Sequence, residues 1–245
     1  MKAMAFVGFK KSGKTAVVEN VAKELKKRGY KVGIAKSLHT NFDKKDSDTW
    51  KFKKIVDYVL VRAQETDALL FDTRDLNSLL SMMPEVDFLL LEGFKDAKHI
   101  PKIICAKIEE EVKELNDGLA IGISGIIANK GIEKINGLPV INALETPGKI
   151  ADLVEEKGFI LPNINCRMCG FDCYKMAKLI VKGEKSVKDC VVLSSKPRVM
   201  VKIDGKELPM KDWVQELVEK TIKGMLSAMK SYKEGKIIEI VIKNE

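Results

Sequence analysis

Met4-Ala5-Phe6-Val7-Gly8-Phe9-Lys10-Lys11-Ser12-Gly13-Lys14-Thr15 is the stretch on which the reading of this chain turns. An apolar run enters a loop bounded by two glycines, and a helical pattern begins at Ala16. The spacing is G-x4-G-K-T in the setting that the motif requires, with a strand before it and a helix after it. A helix N-terminus presents free N–H groups and the positive end of its dipole, so phosphate is the expected guest. The two glycines let the backbone curl so that its N–H groups face inward as an anion nest. Lys14 then reaches the terminal phosphates, and the Thr15 hydroxyl can ligate Mg²⁺.

Working outward, Thr15 to Arg28 carries Val17, Val18, Val21, Ala22 and Leu25 on one helical face, and Gly29 stands where a C-terminal cap belongs. Lys31 to Lys36 reads as the next strand. Strand, helix and strand joined by a short glycine turn make a βαβ unit, which predicts a parallel sheet with a right-handed crossover. Ser37 to Trp50 leaves the carboxyl end of that second strand carrying His39, Asp43, Asp46 and Asp48. That is the edge where open α/β sheets bind ligands. Asp87 to Lys95 reads Asp-Phe-Leu-Leu-Leu-Glu-Gly-Phe-Lys, too short for a helix and apolar throughout its middle. It predicts a fully buried strand that delivers Glu92 to the phosphate edge as a Mg²⁺ partner.

Short strands are expected at Tyr58 to Arg62 and Ala68 to Phe71, with a short helix over Asn77 to Met83. Further strands are expected at Ile100 to Ile108, Leu119 to Ala128 and Leu138 to Ile141, with a Glu/Lys-rich helix from Glu109 to Leu115. The alternation persists to Ile160 and closes a doubly wound, mainly parallel α/β domain over residues 1–161. Asn129-Lys130-Gly131-Ile132 resembles the N-K-x-D element that reads guanine, but the aspartate is absent and Glu133 lies one place further on.

The chain has 245 residues, 45% hydrophobic and 32% charged, a balance that suits a packed core and excludes a disordered chain. No run approaches the length of a membrane span and no apolar signal region precedes the first strand, so a cytoplasmic location is expected. The net charge of +8 comes from lysines interleaved with glutamates, with no clustered basic arm. This pattern disfavours nucleic acid and suits a polyanionic small ligand. With two histidines and no activated Ser or Cys beside either, a hydrolase triad is not expected, and His99 reads as a plain loop residue.

Pro162 and Asn163 break the pattern and introduce Cys166, Cys169 and Cys173, followed by a helical run to Val181 and then Cys190. Soft thiolates in this arrangement form a cage for one metal centre, iron–sulfur or zinc. One C-x2-C extended by C-x3-C stands closer to the clustered run of [4Fe–4S] sites than to paired zinc knuckles, and zinc remains the alternative. Cys105, alone in an apolar strand, reads as a core residue. The metal segment occupies residues 162–195. A small α+β unit follows over 196–245: Arg198 to Ile203 and Ile237 to Ile242 as strands, Asp204-Gly205 as a hairpin turn, and Lys211 to Met229 as the most regular amphipathic helix of the chain.

Taken together, G-F-K-K-S-G-K-T, Lys36 to His39 (K-S-L-H), Phe42-Asp43, Asp48 to Lys51 (D-T-W-K) and Leu91 to Lys95 (L-E-G-F-K) resemble the accessory protein B family of molybdopterin-guanine dinucleotide biosynthesis. The resemblance covers about residues 1–160, and the cysteine segment with its tail is similar to an extension of archaeal members, which implies an iron–sulfur cluster. It implies a GTP-binding adaptor with slow GTPase activity that assists a nucleotidyltransferase, the cofactor then passing to a molybdenum or tungsten enzyme. A homodimer is compatible with it. By carry-over, Gly8, Lys11, Ser12, Gly13, Lys14, Thr15 and Ala16 hold the phosphates, and Glu92 with Asp48 organises Mg²⁺. Lys36 and His39 lie near the γ-phosphate or a second ligand, and Lys14 and Glu92 are the catalytic candidates. Two departures stand out: Ala16 replaces a second hydroxyl residue, and Ile55-Val56-Asp57 replaces a Gly-Ala turn. An ATP-dependent small-molecule kinase or ligase and a nucleotide-gated iron–sulfur carrier are the competing readings.

Overall fold

The computed structural model describes residues 1–38, 40–72, 75–194, 199–208, 210, 212–233, 235 and 237–242. His39, and the expected first residues of the 198 strand and the 211 helix, lie outside the described residues. The chain divides into two compact units, Met1–Cys190 and Val191–Glu245.

The first unit is built on five parallel strands: β1 (Lys2–Val7), β2 (Val32–Lys36), and three more that enter after an excursion from the sheet. That excursion holds a short helix α2 (Asp48–Lys53), a separate antiparallel hairpin of β3 (Tyr58–Val61) and β4 (Ala68–Phe71), and α3 (Leu76–Leu80). The sheet is completed by β5 (Phe88–Glu92), β6 (Lys102–Cys105) and, after α4 (Glu109–Leu115), β7 (Ala120–Ser124), in the order β2-β5-β1-β6-β7. Every residue of β5, β6 and β7 is buried. Their near-continuous apolar sequences are what a sheet covered on both faces demands.

Helix α1 (Lys14–Lys27) lays Val17, Val18, Val21 and Leu25 against Met4, Phe6 and Ile103 on one face. Burying each such side chain is worth about 1.5–3 kcal/mol. Helix α5 (Pro147–Lys157) covers the same face through Ile150, Ala151 and Val154. Arg28 ties the two helices together: its guanidinium reaches Glu24 on one side and Asp152 (2.7 Å) and Glu155 (2.6 Å) on the other. These hydrogen bonds, those from Glu155 and Asp152 foremost, raise its pKa above the ordinary arginine value. The opposite face packs Ala3, Ala5, Leu89, Leu91 and Ile104 with Val112 of α4.

Three expectations are revised. The strand from Leu119 stops at Ser124, because Gly125 turns with φ +87°, and Ile126–Lys130 is a 3₁₀ turn. Leu138 to Ile141 is not a full strand. After β8 (Lys134–Ile135), only β9 (Leu138–Pro139) pairs, antiparallel with β8, and Val140 makes a single parallel bridge to Ile123. Residues 237–242 alternate as a strand does but have no regular structure, and Ile237, Val241 and Ile242 are about four-fifths exposed. An alternating sequence is a strand only when another strand accepts its backbone, and among the described residues none pairs with it.

The first unit ends with α6 (Cys173–Val181) and a 3₁₀ turn at Val187–Asp189. The second contains α7 (Val191–Ser194), a hairpin of β10 (Val201–Ile203) and β11 (Lys206–Leu208), and the amphipathic helix α8 (Asp212–Ser227). The Asp204-Gly205 turn lies where the sequence puts it, both residues at positive φ. No described helix is long and apolar enough to cross a membrane.

Candidate functional site

At the carboxyl ends of the strands, β1 runs into the loop from Gly8 to Gly13, and Gly13 enters α1 in the left-handed conformation, φ +88°. Gly8 has a steric reason to be glycine. A Cβ there would stand 2.2 Å from the Cys105 carbonyl oxygen and 2.5 Å from Ser12 Oγ. Gly125 is constrained in the same way from beneath, since a Cβ would come within 2.3 Å of the Ser12 carbonyl. That carbonyl accepts from the Ile126 amide at 3.2 Å, so the loop rests on the turn that follows β7. The Ser12 hydroxyl is buried and has no hydrogen-bond partner among the described residues, a donor within the G-x4-G-K-T loop.

The charged groups of this edge come from three adjacent strands. Parallel register sets Phe6 and Lys36 on either side of Glu92. Glu92 then accepts from the Thr15 hydroxyl at 2.8 Å and pairs with the Lys36 ammonium at 3.0 Å. Lys14 donates to the Gly8 and Phe9 carbonyls at 3.0 and 2.6 Å. Burial holds it below the ordinary lysine range, against the opposing pull of neighbouring acidic groups. Lys95 of the L-E-G-F-K segment lies 4.0 Å above the Phe9 ring. A hydroxyl and a carboxylate in contact at the mouth of an anion loop fit Mg²⁺, which takes few protein oxygens and shares the rest with phosphate.

Of the residues named from sequence, the structure unites Gly8, Ser12, Gly13, Lys14, Thr15, Lys36 and Glu92. Lys11 lies on the loop at φ +59°, and Ala16 in the first turn of α1. Asn129 and Lys130 sit on the 3₁₀ turn under the loop, and Asn129 Oδ1 accepts from the Asn142 amide at 3.2 Å. Asp48 makes a different contact: its carboxylate, 85% exposed, is 3.6 Å from Lys51. Asp43 accepts from Ser47 and Thr49, both at 3.0 Å, and fastens the start of α2. Sequence reasoning passed over Gly125 and Asn142, whose roles arise only when the chain after β7 folds beneath the loop.

The four candidate metal-binding cysteines lie at the opposite end of the sheet. Phe159 bonds to Ala3 at the start of β1, and Leu161 bonds to His99 ahead of β6, so the chain enters the cysteine segment at the amino ends of the strands. A strand rises about 3.3 Å per residue, so the six residues of β1 put this segment about 20 Å from the P-loop. Cys173 and Cys190 are buried, Cys169 is half-buried and Cys166 exposed, and none of the five cysteines is in a disulfide. Asn163, Asn165, Arg167 and Gly170 all have positive φ, which winds the loop tightly. Asn165 accepts from the Cys173 amide at 2.9 Å, and Asp172 caps α6 through the Lys175 amide. The donor chemistry, four thiols with two already buried, fits a thiolate-held centre. Among the described residues no three Cys, His, Asp or Glu side chains are gathered at metal-binding distance.

Helix α6 is fixed to the sheet by a half-buried polar knot. Tyr174 donates to the Asp117 carbonyl at 2.6 Å, and the Asp117 carboxylate takes Lys102 at 2.8 Å and Lys98 at 2.9 Å. Lys102 is 1% exposed, and its ammonium also donates to the Lys95 carbonyl. Burial works against the Asp117 charge, yet the two lysines still hold its pKa below the usual carboxylate range. Cys105 is the core residue expected, its thiol pushed up to about 12 by burial.

A parallel sheet with a G-x4-G-K-T loop on its carboxyl edge and a carboxylate beside the loop threonine defines a P-loop NTPase-like protein. Comparison with known proteins narrows the class. The family model "Molybdopterin guanine dinucleotide synthesis protein B" matches residues 3–124, and a second, "Putative Fe-S cluster", matches residues 161–192. A curated Bacillus subtilis protein, "Probable molybdopterin-guanine dinucleotide biosynthesis adapter protein", is 31% identical over 56% of this chain and 83% of its own length. A Methanocaldococcus jannaschii protein, "Putative molybdopterin-guanine dinucleotide biosynthesis adapter protein", is 29% identical over 99% of this chain and 97% of its own. The chain belongs to the molybdopterin guanine dinucleotide synthesis protein B (MobB) family. The crystal structure of Bacillus subtilis MobB shares the fold, with a TM-score of 0.51 and 23% identity over 64% of this chain and 99% of that one.

Proposed function

We propose that this protein is a GTP-binding adapter in molybdopterin guanine dinucleotide biosynthesis, working in the cytoplasm, with slow GTPase activity and a cysteine-held iron–sulfur centre. The observation that carries the nucleotide reading is Glu92, bonded to the Thr15 hydroxyl at 2.8 Å beside the P-loop. Thr15 and Glu92 would hold Mg²⁺, and the loop amides with Lys14 would hold the phosphates. Glu92 is committed to Thr15 and Lys36, which suits a metal partner better than a proton-abstracting base and accounts for slow hydrolysis. Asn129 and Lys130 belong to the base end of the site, while Asp48 and His39 belong to the loop leaving β2.

Residues 1–161 form the nucleotide domain in this reading, 162–195 the metal segment and 196–245 an accessory unit. Four thiolates fit a [4Fe–4S] cluster, with zinc as the alternative. The partners are the nucleotidyltransferase that attaches GMP to molybdopterin and the enzyme that receives the cofactor. The names of the relatives support the adapter role.

Equilibrium titration of GTP and ATP with and without Mg²⁺ tests the reading. GTP should bind more tightly with Mg²⁺ than without, and Glu92→Gln should remove that difference. Binding indifferent to Mg²⁺ in both proteins would overturn it. The missing N-K-x-D aspartate favours the second reading, an ATP-using kinase or ligase, which gains if ATP binds as well as GTP and turns over rapidly.

A further inference from the structure

The turn that leaves β5 is bent in an unusual way. Gly93 and Phe94 both have positive φ, +96° and +50°. Glycine adopts this left-handed conformation freely, but an aromatic residue rarely does, and such strain gathers at functional sites. Backbone hydrogen bonds hold the bend: the Gly93 amide donates to the Phe6 carbonyl at 3.0 Å, and the Ala97 amide to the Phe94 carbonyl at 3.0 Å. The fully buried Lys102 ammonium donates to the Lys95 carbonyl at 2.7 Å.

What the bend fixes is the place of Lys95. Its exposed side chain turns back over the P-loop, the ammonium 4.0 Å from the Phe9 ring centroid, and no carboxylate among the described residues pairs with it. Three ammonium groups thus meet at the loop mouth. Lys14 is bonded to loop carbonyls, Lys36 is paired with Glu92, and Lys95 rests on the ring. Burial is the main reason that Lys14 lies below the ordinary lysine range, and the Lys95 and Lys36 charges press it the same way. The neighbouring Glu111 is already matched by Lys107 at 3.0 Å, so the mouth is left net positive.

The loop also has a direction. In a G-x4-G-K-T loop the amides cradle the inner phosphates and the lysine reaches the outer ones. Lys14 ends at the Gly8 and Phe9 carbonyls, so Phe9 marks the terminal-phosphate end, where Lys95 lies. A cation–π contact at an exposed site is weaker than a charge-assisted hydrogen bond to phosphate, so an arriving phosphate draws the ammonium off the ring.

We propose that Lys95 is a specificity-determining residue of the nucleotide site: its ammonium moves from the Phe9 ring to the terminal phosphate of a bound nucleoside triphosphate, so that the site tells triphosphate from diphosphate. This inference rests on the reading of the P-loop as a nucleotide site.

The test uses the full chain with Mg²⁺, as wild type, Lys95→Met and Lys95→Arg, titrated calorimetrically with GDP and with a GTP analogue that cannot be hydrolysed. Methionine keeps an apolar stem on Phe9 and removes the charge, and the melting temperature of each protein checks that the fold is intact. Lys95→Met should lose about tenfold in affinity for the triphosphate and stay within about twofold for the diphosphate, and Lys95→Arg should recover most of the loss. A merely structural role would weaken both nucleotides alike. Equal losses for the two nucleotides, or no loss for either, would overturn the proposal and leave the nucleotide reading standing. A wild-type protein that binds neither nucleotide would overturn that reading and the proposal with it.

Discussion

The two ends of the parallel sheet are organised by different physics. At the carboxyl end, regular structure does the positioning: strand register sets Lys36 beside Glu92, and the start of α1 brings Thr15 to the same carboxylate. At the amino end, the cysteines sit on a loop of left-handed residues, on the first turn of α6 and just after the 3₁₀ turn that follows it, held by side-chain caps and a half-buried ion pair. About 20 Å of buried strand separates them. The P-loop edge is therefore preformed by the fold itself, whereas the arrangement of the thiols depends on local contacts. A nucleotide in the P-loop cannot touch a metal among the cysteines, so each end should fail by itself.

The largest effect expected on that comparison is at the cysteine end. Cys173→Ser should lower the iron content of anaerobically purified protein to roughly one-tenth or less, because a thiolate ligand is lost where ligation and local folding are coupled. GTP affinity should stay within about twofold, as read by titration calorimetry on the same sample. A parallel collapse of nucleotide binding would show that the two ends are one site in function.

Lys14→Ala is the converse. Removing a charge-assisted contact to phosphate should cost about 3 kcal/mol, close to a 100-fold loss of nucleotide affinity. Iron content should be unchanged. Loss of iron would again join the ends that the geometry separates.

Acid should act on the amino end before it reaches the P-loop. His99 has a folded pKa of about 4 against an ordinary value of 6.5, so between these the unfolded chain takes up a proton that the folded chain refuses. The stability it contributes is complete above pH 6.5 and is lost as pH falls towards 4. Moving from pH 7 to pH 5 should cost about 2 kcal/mol through this residue, seen as a larger drop in urea midpoint for wild type than for His99→Gln. Equal drops in the two proteins would mean that the ring is protonated, or reached by water, in the folded state.

The carboxyl end was the more legible in sequence because its determinants are contiguous. Gly8 to Thr15 and Leu91-Glu92-Gly93 each carry their own structural context, and a parallel sheet brings strand ends together by rule. The Cys166 to Cys190 spacing announced a metal segment but not its place, since nothing local says that Leu161 will bond to His99. His99 itself read as a loop residue, which it is; its burial depends on what packs over it. The reverse error came at residues 237–242, where alternation alone suggested a strand that no described strand pairs with. Pro147 to Lys157 went unnamed as a helix, although Pro at its first position and Ile150, Ala151 and Val154 on one face are standard signals. Asn129 was noticed for its motif, yet the value of the turn it lies on comes from Gly125 meeting Ser12, a contact between residues more than a hundred positions apart.

The smallest effect tests how the amino end is fastened. Tyr174→Phe removes one hydroxyl and keeps the ring, so the Lys178 ammonium 4.0 Å from its centroid and Lys98 at 5.2 Å retain their cation–π contacts. What is lost is the 2.6 Å bond to the Asp117 carbonyl, leaving the Asp117 carboxylate still bound by Lys98 and Lys102. A net cost of about 1 kcal/mol is expected from one such hydrogen bond. If helix α6 opens locally, hydrogen exchange should rise at Met176 and Ala177 with little change at Leu89 to Leu91 in the sheet core. Acceleration reaching β5 would show instead that the cysteine helix and the nucleotide sheet open as one cooperative unit, and Tyr174 would then mark the contact that joins them.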